Sequence, residues 1–493
     1  MDFHRGDSIF KRAFVFLSST IPSGKQPKTR RISNSMRMKA ARQLPLDFAG
    51  TQKLTKEWYA LYRSIDEILV ANPTVLELVH ADLTEKQPKL KRNVEGIASE
   101  CILRLAIVQQ IEGFSFRELI IAVDDSQMLR FFCRFYDDPI ISHSKYATLV
   151  NRIRPTTWEK INEVIVRFAR DKKRFKGKKL RIDTTAVETD IHYPTDSSLL
   201  ADCVKVLSRL IRKVREIAPA VVGSGRTRLR HAKKLAQKIA RGGKSLHKAS
   251  GKKLYGKLIA ATERVMTWAD EIRKGIVEGK RGGLDGLELQ ALAKDIEQYL
   301  PRAQQCVHQA RERVLNEQSV PNDEKLFSIF EPHTELLLRG KASKPVEFGH
   351  MVELHQIEGG LISQYAVHLK RPAEPPLLQD GLMEHQKTFG RLPETCATDK
   401  GFYSAEAVTK AQTLGVKHVC IPKKGRRNAT EERRERSGWF KLGQAFRAGI
   451  EGAISVLKRV FGLRRCLREG WTHFQSWVGS GVLAHNLVLL ART

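Results

Sequence analysis

One strand-like stretch, residues 180–192, is rich in β-branched side chains, and no comparable stretch follows until after Pro321. Between them, residues 199–316 read as almost unbroken helical period. That order rules out a simple alternation of strands and helices: the helical block must be inserted into a sheet that resumes beyond it. Residues 328–339, 346–354 and 362–369 then read as antiparallel strands joined by turns, with Gly340, Lys341, Gly359 and Gly360 at the gaps. A helix at 381–389, a strand at 395–399, a helix at 405–414, a strand at 416–421, a charged linker at 423–437 and long helices from Phe440 complete the pattern. The expected fold class is α/β, a mixed sheet flanked by helices.

Upstream, residues 100–170 have helical spacing throughout, so the N-terminal region is expected to be all-α. Ser115-Phe-Arg-Glu118 and Thr156-Thr-Trp-Glu159 both read as capping boxes. A Gly turn between helices over 110–123, followed by the basic residues Lys145, Arg152 and Arg154, suits a helix pair that touches DNA. The reading divides the chain into a basic flexible tail (1–50), a helical DNA-binding region (51–175), a catalytic domain in two pieces (176–198 and 326–493) and a basic helical insertion (199–325). Met36 and Met38 are candidates for the true start.

Charge supplies the partner. The 493 residues carry 86 Lys or Arg against 54 Asp or Glu, a formal balance of +32. A polyanion, with nucleic acid first, is the expected ligand, because neutralised phosphates release condensed counterions. Residues 226–253 hold eleven Lys or Arg and no acid, including Arg226, Arg228, Arg230, Lys233 and Lys234, which are candidate phosphate contacts. Seven cysteines without a Cys-x-x-Cys pair argue against a disulfide frame or zinc knuckle and suit a reducing cytoplasm. No apolar run is long enough for a membrane span, so a soluble, membrane-free protein is expected. His350, His355, His368 and His418 lack ligand spacing and read as packing or surface residues, while Trp439, Trp471 and Trp477 read as core anchors.

Three acids stand out. Asp183 lies near the end of a strand with apolar neighbours, in Leu180-Arg-Ile-Asp-Thr-Thr185, and Asp399 ends another in Ala397-Thr-Asp-Lys-Gly-Phe-Tyr403. Strand ends in such sheets are where sites form. The third, Glu451, sits in Phe446-Arg-Ala-Gly-Ile-Glu-Gly-Ala-Ile-Ser-Val-Leu-Lys458, on one helical stripe with Gln444, Arg447 and Lys458. Three carboxylates of this kind can cage Mg²⁺, with Mn²⁺ as substitute, two ions to a site, while Arg447 and Lys458 hold phosphate. Without metal the acids should repel and at least one should resist ionisation. Glu188 and Asp190 have the opposite strand parity to Asp183 and read as hairpin or surface acids.

These residues resemble the DDE transposases of bacterial insertion sequences, in the superfamily whose last acid lies in a Tyr-x2-Arg-x3-Glu-x6-Lys signature. Arg447, Glu451 and Lys458 match three of the four positions, and Gln444 stands at the Tyr position. Asp183-Thr-Thr-Ala-Val-Glu-Thr-Asp-Ile-His-Tyr-Pro-Thr-Asp196, Phe330-Glu-Pro-His-Thr-Glu335, Val346-Glu-Phe-Gly-His350, Asp399-Lys-Gly-Phe-Tyr403 and Ala484-His-Asn-Leu487 extend the likeness, most closely to the ISNCY-type group. The resemblance implies an RNase H-like core, Mg²⁺-dependent cutting at transposon ends and strand transfer by a 3′-hydroxyl. It implies that Asp183, Asp399 and Glu451 form the metal-binding triad, and that Arg447 and Lys458 contact DNA near the reacting end; Lys400, beside Asp399, is a further candidate DNA contact. Expected partners are double-stranded DNA, as terminal inverted repeats and as target, and a second copy of the chain in a dimer or larger synaptic complex. The expected location is the bacterial cytoplasm, at the nucleoid. Two other functions fit the sequence: a metal-dependent RNase H-like nuclease that hydrolyses without joining, and a non-catalytic DNA-binding regulator.

Overall fold

The computed structural model describes residues 39, 52–85, 97–223, 227–242, 248–279, 284–338 and 345–493. The basic tail, apart from Lys39, the methionines Met36 and Met38, and Arg226 lie outside the described residues. The chain forms two units, one of Met1–Glu188 with His350–Thr493, the other of Thr189–Gly349.

The first unit opens with helices α1 (Lys53–Ala71), α2 (Pro73–Thr84), α3 (Ser99–Glu112), α4 (Phe116–Asp125), α5 (Gln127–Phe132), α6 (His143–Val150) and α7 (Pro155–Asp171). Helix α3 is buried from Ser99 to Gln110, which makes it the core of this bundle. Its charge is handled internally: Arg104 and Arg134, both buried, share Asp66 and Glu100 at 2.6–3.2 Å. Gly113 ends α3 in the left-handed conformation, and the Ser115–Glu118 capping box starts α4 as expected. The second expected box does not form. Pro155, its φ already helical, takes the first position of α7, and Arg154 is the N-cap without a side-chain bond.

The second unit holds α8 (Asp196–Ile217), α9 (Pro219–Val222), α10 (Leu229–Gly242), α11 (Lys248–Glu278) and α12 (Leu284–Ala310), packed on their own apolar core. Thr195 and Ser198 cap α8 reciprocally, so the helix begins at Asp196. The expected strand at 328–339 shrinks to β2 (Glu335–Leu338). Ser328 Oγ accepts from the N–H groups of Phe330 and Glu331, which turns the chain, and Pro332 has no N–H for a ladder. Here β2 pairs antiparallel with Val346–Gly349, the leading residues of β3 (Val346–Ile357).

Five strands of the mixed six-stranded sheet lie in the first unit. The chain passes through β1 (Lys179–Glu188), the rest of β3, and β4 (Ile362–His368). It continues with α13 (Glu374–Phe389), β5 (Thr395–Ala397), α14 (Ala405–Leu414), β6 (His418–Cys420), α15 (Ala429–Arg436), α16 (Gly438–Arg459) and α17 (Trp471–Ala491). Strand β4 pairs antiparallel with β3, β1 neighbours β3, and β1, β5 and β6 run parallel. Strand β1 stops at Glu188, short of the expected residue 192, and Glu188 pairs with Arg465 at 3.2 Å. The expected linker at 423–437 contains α15. Its Glu and Arg are good helix formers, and Asn428 with Glu431 supplies a capping box. Helix α13 starts at Glu374 rather than 381, with Pro at its first positions, where a missing N–H costs nothing. Gly381 lets α13 lie close on β1 and β3: a Cβ there would overlap Ile182 and His355.

Trp477 is buried, its Nε1 donating to Gly462 O at 3.0 Å, and Trp439 stacks on His418. The seven cysteines are buried thiols, none of them in a disulfide. No helix among the described residues is long and apolar enough to cross a membrane.

Candidate active site

The parallel register places the first two acids. Arg181 of β1 is opposite Ala397 of β5, so Asp183 and Asp399 each lie two residues beyond the last paired position of that ladder; Asp399 follows the end of β5, but Asp183 is not at a strand end as expected, because β1 continues to Glu188. Asp183 is 8 % exposed and its Oδ1 accepts from the Thr184 N–H at 2.8 Å. Asp399 caps the short turn Lys400–Phe402, its Oδ1 accepting from Gly401 N at 2.8 Å. Lys400 is exposed at the start of that turn.

Helix α16 brings the third acid. Arg447 reaches Asp183 Oδ2 with Nη2 at 3.2 Å and Glu451 Oε1 with Nη1 at 3.0 Å, so one guanidinium bridges strand acid and helix acid. The side chain of Glu451 is 67 % exposed. Gln444 faces the sheet: its Nε2 donates to the carbonyls of Thr398, at 3.2 Å, and Cys420, fastening α16 to the ends of β5 and β6 beside Asp399. Lys458 sits half-buried in the last turn of α16.

A fourth acid was hidden from the sequence reading. Glu374 accepts from Thr184 Oγ1 at 3.3 Å, and a Cβ on Gly401 would strike its carboxylate and approach Asp399 Oδ1. It opens α13, and placing that helix's start at 381 left Glu374 in a loop. The two prolines after it were the signal that a helix begins there.

Electrostatics shows what the cluster lacks. Burial, above all, pushes the Asp183 carboxyl up to about 6; Arg447 and the Thr184 N–H oppose this, and Asp399 and Glu374 add to it. The rise expected from crowded acids is there, with desolvation as its main cause. No three His, Cys, Asp or Glu side chains among the described residues stand close enough to hold a metal as they are placed. The donor chemistry nonetheless fits a hard divalent cation: the charges of Asp399 and Glu374 add to the rise at Asp183, and the Arg447 guanidinium supplies the positive charge that opposes it.

The sheet's other titratable cluster is closed. Glu353 accepts from His355 Nε2 at 2.6 Å and His368 Nε2 at 3.0 Å; burial pushes its carboxyl up, but these bonds prevail and hold it at about 2.

Among the predicted DNA contacts, Arg152 is exposed, whereas Arg154 is committed to Asp82 at 2.6 Å and Glu85 at 3.0 Å. In the second unit Arg228, Arg230, Lys233 and Lys234 are all exposed at or on α10, whose other face buries Ala232, Leu235 and Ile239.

Residues 354–487 match the family model described as the transposase DDE domain. The chain carries a transposase DDE domain. The match runs from β3 to α17 and includes Asp399 and Glu451; Asp183 lies outside it, on the strand that pairs with β5. A mixed sheet flanked by helices agrees with an RNase H-like transposase core. No curated protein and no solved structure matches the chain.

Proposed function

We propose that this protein is a DNA transposase that cleaves the ends of a mobile element and joins the freed 3′-hydroxyl to target DNA. The observation that carries the reading is the Arg447 bridge, which sets Glu451 of the DDE domain beside Asp183, whose strand is paired with the one that Asp399 follows. Asp183, Asp399 and Glu451 would hold two Mg²⁺ ions, or Mn²⁺ in their place. Bound there, the ions would activate the attacking oxygen and stabilise the leaving one in an in-line displacement.

The remaining roles belong to the chain. Asp183, kept from easy ionisation by burial, is the acid whose charge most needs compensation. Arg447 supplies it through its bond to Asp183, and with metal bound there its guanidinium would be available to a DNA phosphate. Lys400, next to Asp399, and Lys458, two turns beyond Glu451 on α16, would favour phosphate by charge, while the exposed bases of α10 offer a backbone-tracking surface. Two ends must be held together for joining, so a dimer or larger complex is the working assembly.

The test uses a labelled terminal repeat, taken from the DNA flanking the gene, with a supercoiled plasmid and MgCl₂. Nicked ends and joined products are expected, and Asp183→Ala should bind the repeat in a salt-sensitive way but yield neither. Cut but unjoined DNA would leave a nuclease, binding without cleavage in any divalent metal would leave a regulator, and equal cutting by Asp183→Ala would remove the triad.

A further inference from the structure

Two residues before Asp183, and on the same face of β1, lies an arginine that the proposed chemistry does not use. Arg181 is 9 % exposed. Its Nε donates to Gln356 Oε1 at 2.8 Å, its Nη2 reaches the same oxygen, and its Nη1 donates to the main-chain carbonyl of Phe446 in α16. The guanidinium carbon lies 4.6 Å from the centre of the Phe446 ring. No carboxylate is paired with it among the described residues. Burial lowers its pKa to about 10, so it is charged at neutral pH.

A buried charge held only by neutral acceptors is costly, and an apolar side chain of similar length would fill the space at less cost. What an apolar chain cannot do is hydrogen-bond the backbone of α16 one residue before Arg447. Helix α16 is also shaped to receive the group. A Cβ on Gly449 would overlap the Arg181 guanidinium, so glycine stands where the arginine enters, midway between Arg447 and Glu451. With Gln444 fixed on Thr398 and Cys420, the helix is pinned at two points, which sets both its position along the sheet and its rotation.

We propose that Arg181 is a positioning residue: seated in the gap left by Gly449, it holds α16 so that Arg447 and Glu451 face Asp183. The inference rests on the cleavage reading for its catalytic consequence, while the contact itself is testable without it. A misplacement of about 1 Å in a reacting group can cost on the order of 100-fold in rate.

The experiment is a double-mutant cycle in the full chain with Arg181→Met, Gly449→Ala and the two combined. Each single variant should lower kcat for end cleavage on the order of 10- to 100-fold, raise the Mg²⁺ concentration giving half-maximal rate, and leave KM for the DNA within about threefold. The combined variant should lose no more than the worse single one, because both remove one contact. Thermal melting gives a readout free of activity: Gly449→Ala should lower Tm clearly in the Arg181 chain and little in the Arg181→Met background. Arg181→Lys, which keeps charge and most of the volume, serves if Arg181→Met does not fold, and should show the same split between kcat and KM. Wild-type kcat in Arg181→Met or Arg181→Lys, or losses that add in the cycle, would overturn the proposal. A wild-type protein that never cuts DNA would remove the cleavage reading, yet the melting cycle would still decide the Arg181–Gly449 contact.

Discussion

Cationic side chains do two different jobs in this molecule. At the junction of β1 and α16, Arg181 and Arg447 are each tied to particular atoms of the backbone, an amide or an acid, and their exposure is low. On α10, Arg230, Lys233, Lys234 and Lys238 are exposed, with no carboxylate paired to them among the described residues. The difference follows from what each helix packs against. Helix α16 lies on a sheet whose strand ends carry acids and carbonyls, so its polar groups are fixed by geometry. Helix α10 buries only a narrow apolar stripe, so its charges form a field. A fixed contact is lost with one substitution; a field wears down in steps.

The largest effect should come from the fixed site. Asp183→Ala or Glu451→Gln is expected to reduce Mg²⁺-dependent end cleavage on the order of 1,000-fold or more, with DNA affinity within about threefold of the parent. Gel assays for cleavage and fluorescence anisotropy for binding separate the two quantities. Replacing Arg230, Lys233, Lys234 and Lys238 together by Gln should do the reverse. DNA affinity at about 0.15 M salt should fall roughly tenfold or more, and the slope of log K against log salt should shrink by up to about 3.6. Any one of the four alone should act on about a quarter of that scale. If a single α10 substitution abolished binding, the contact would be specific and the contrast would break.

How much of this was legible in the sequence follows the same division. Asp399 could be found because it follows closely on a short strand, and the Arg447–Glu451 spacing is local to one helix; Asp183 was singled out as a strand-end acid, whereas β1 continues past it to Glu188. The helical insertion was visible because its period runs unbroken over so many turns. The role of Gln444 was not, since spacing placed it on the stripe with Arg447 while its amide in fact faces two strand-end carbonyls. Glu374 was missed through a boundary error, and Arg181 because a buried arginine in a strand declares its partners only after the sheet and α16 meet. The charged sequence around α15 was taken for a linker because it has no apolar period; capping and ion pairs such as Lys423–Glu431 at 2.6 Å carry the helix instead.

Protonation sharpens the contrast, because one histidine in each unit should answer pH with opposite sign. His385 on α13 is 3 % exposed; its Nε2 donates to Gly177 O at 2.9 Å, and its Nδ1 is buried with no acceptor for a second proton. Burial lowers its pKa to about 4, against the hydrogen bond to Gly177 and the nearby charge of Glu358. The unfolded chain therefore takes up a proton first, so this stabilisation is complete above about pH 6.5 and is lost as pH falls toward 4, a change of about 3 kcal/mol. In the second unit, the hydrogen bond to Asp202, at 2.6 Å, raises the pKa of His192. That contribution is present at low pH and is lost as pH rises through the folded value. Urea midpoints at pH 7 and pH 4.5 should differ less in His385→Asn than in the parent. Hydrogen exchange should place the acid-sensitive part in α13 and not in α8. An unchanged pH difference in His385→Asn would assign the acid sensitivity to other groups.

The smallest effect tests the claim that α15 is held by its ends and ion pairs. Asn428 accepts from the Glu431 N–H at 2.9 Å, and Glu431 returns a bond to the Asn428 N–H at 2.9 Å, while no residue of the helix is buried. With no apolar face to hold it, the helix depends on its cap in a way that α10 and α16 do not. Asn428→Ala should cost about 1 kcal/mol, confined to local opening of α15 and read as faster amide exchange over Ala429–Arg436. Cleavage rate and DNA affinity should stay within about twofold, because Lys423 and Arg427 keep their own pairs with Glu431 and Glu435. A loss of affinity that outlasts the loss of helix would mean that α15 belongs with α10, as part of the surface that meets phosphate.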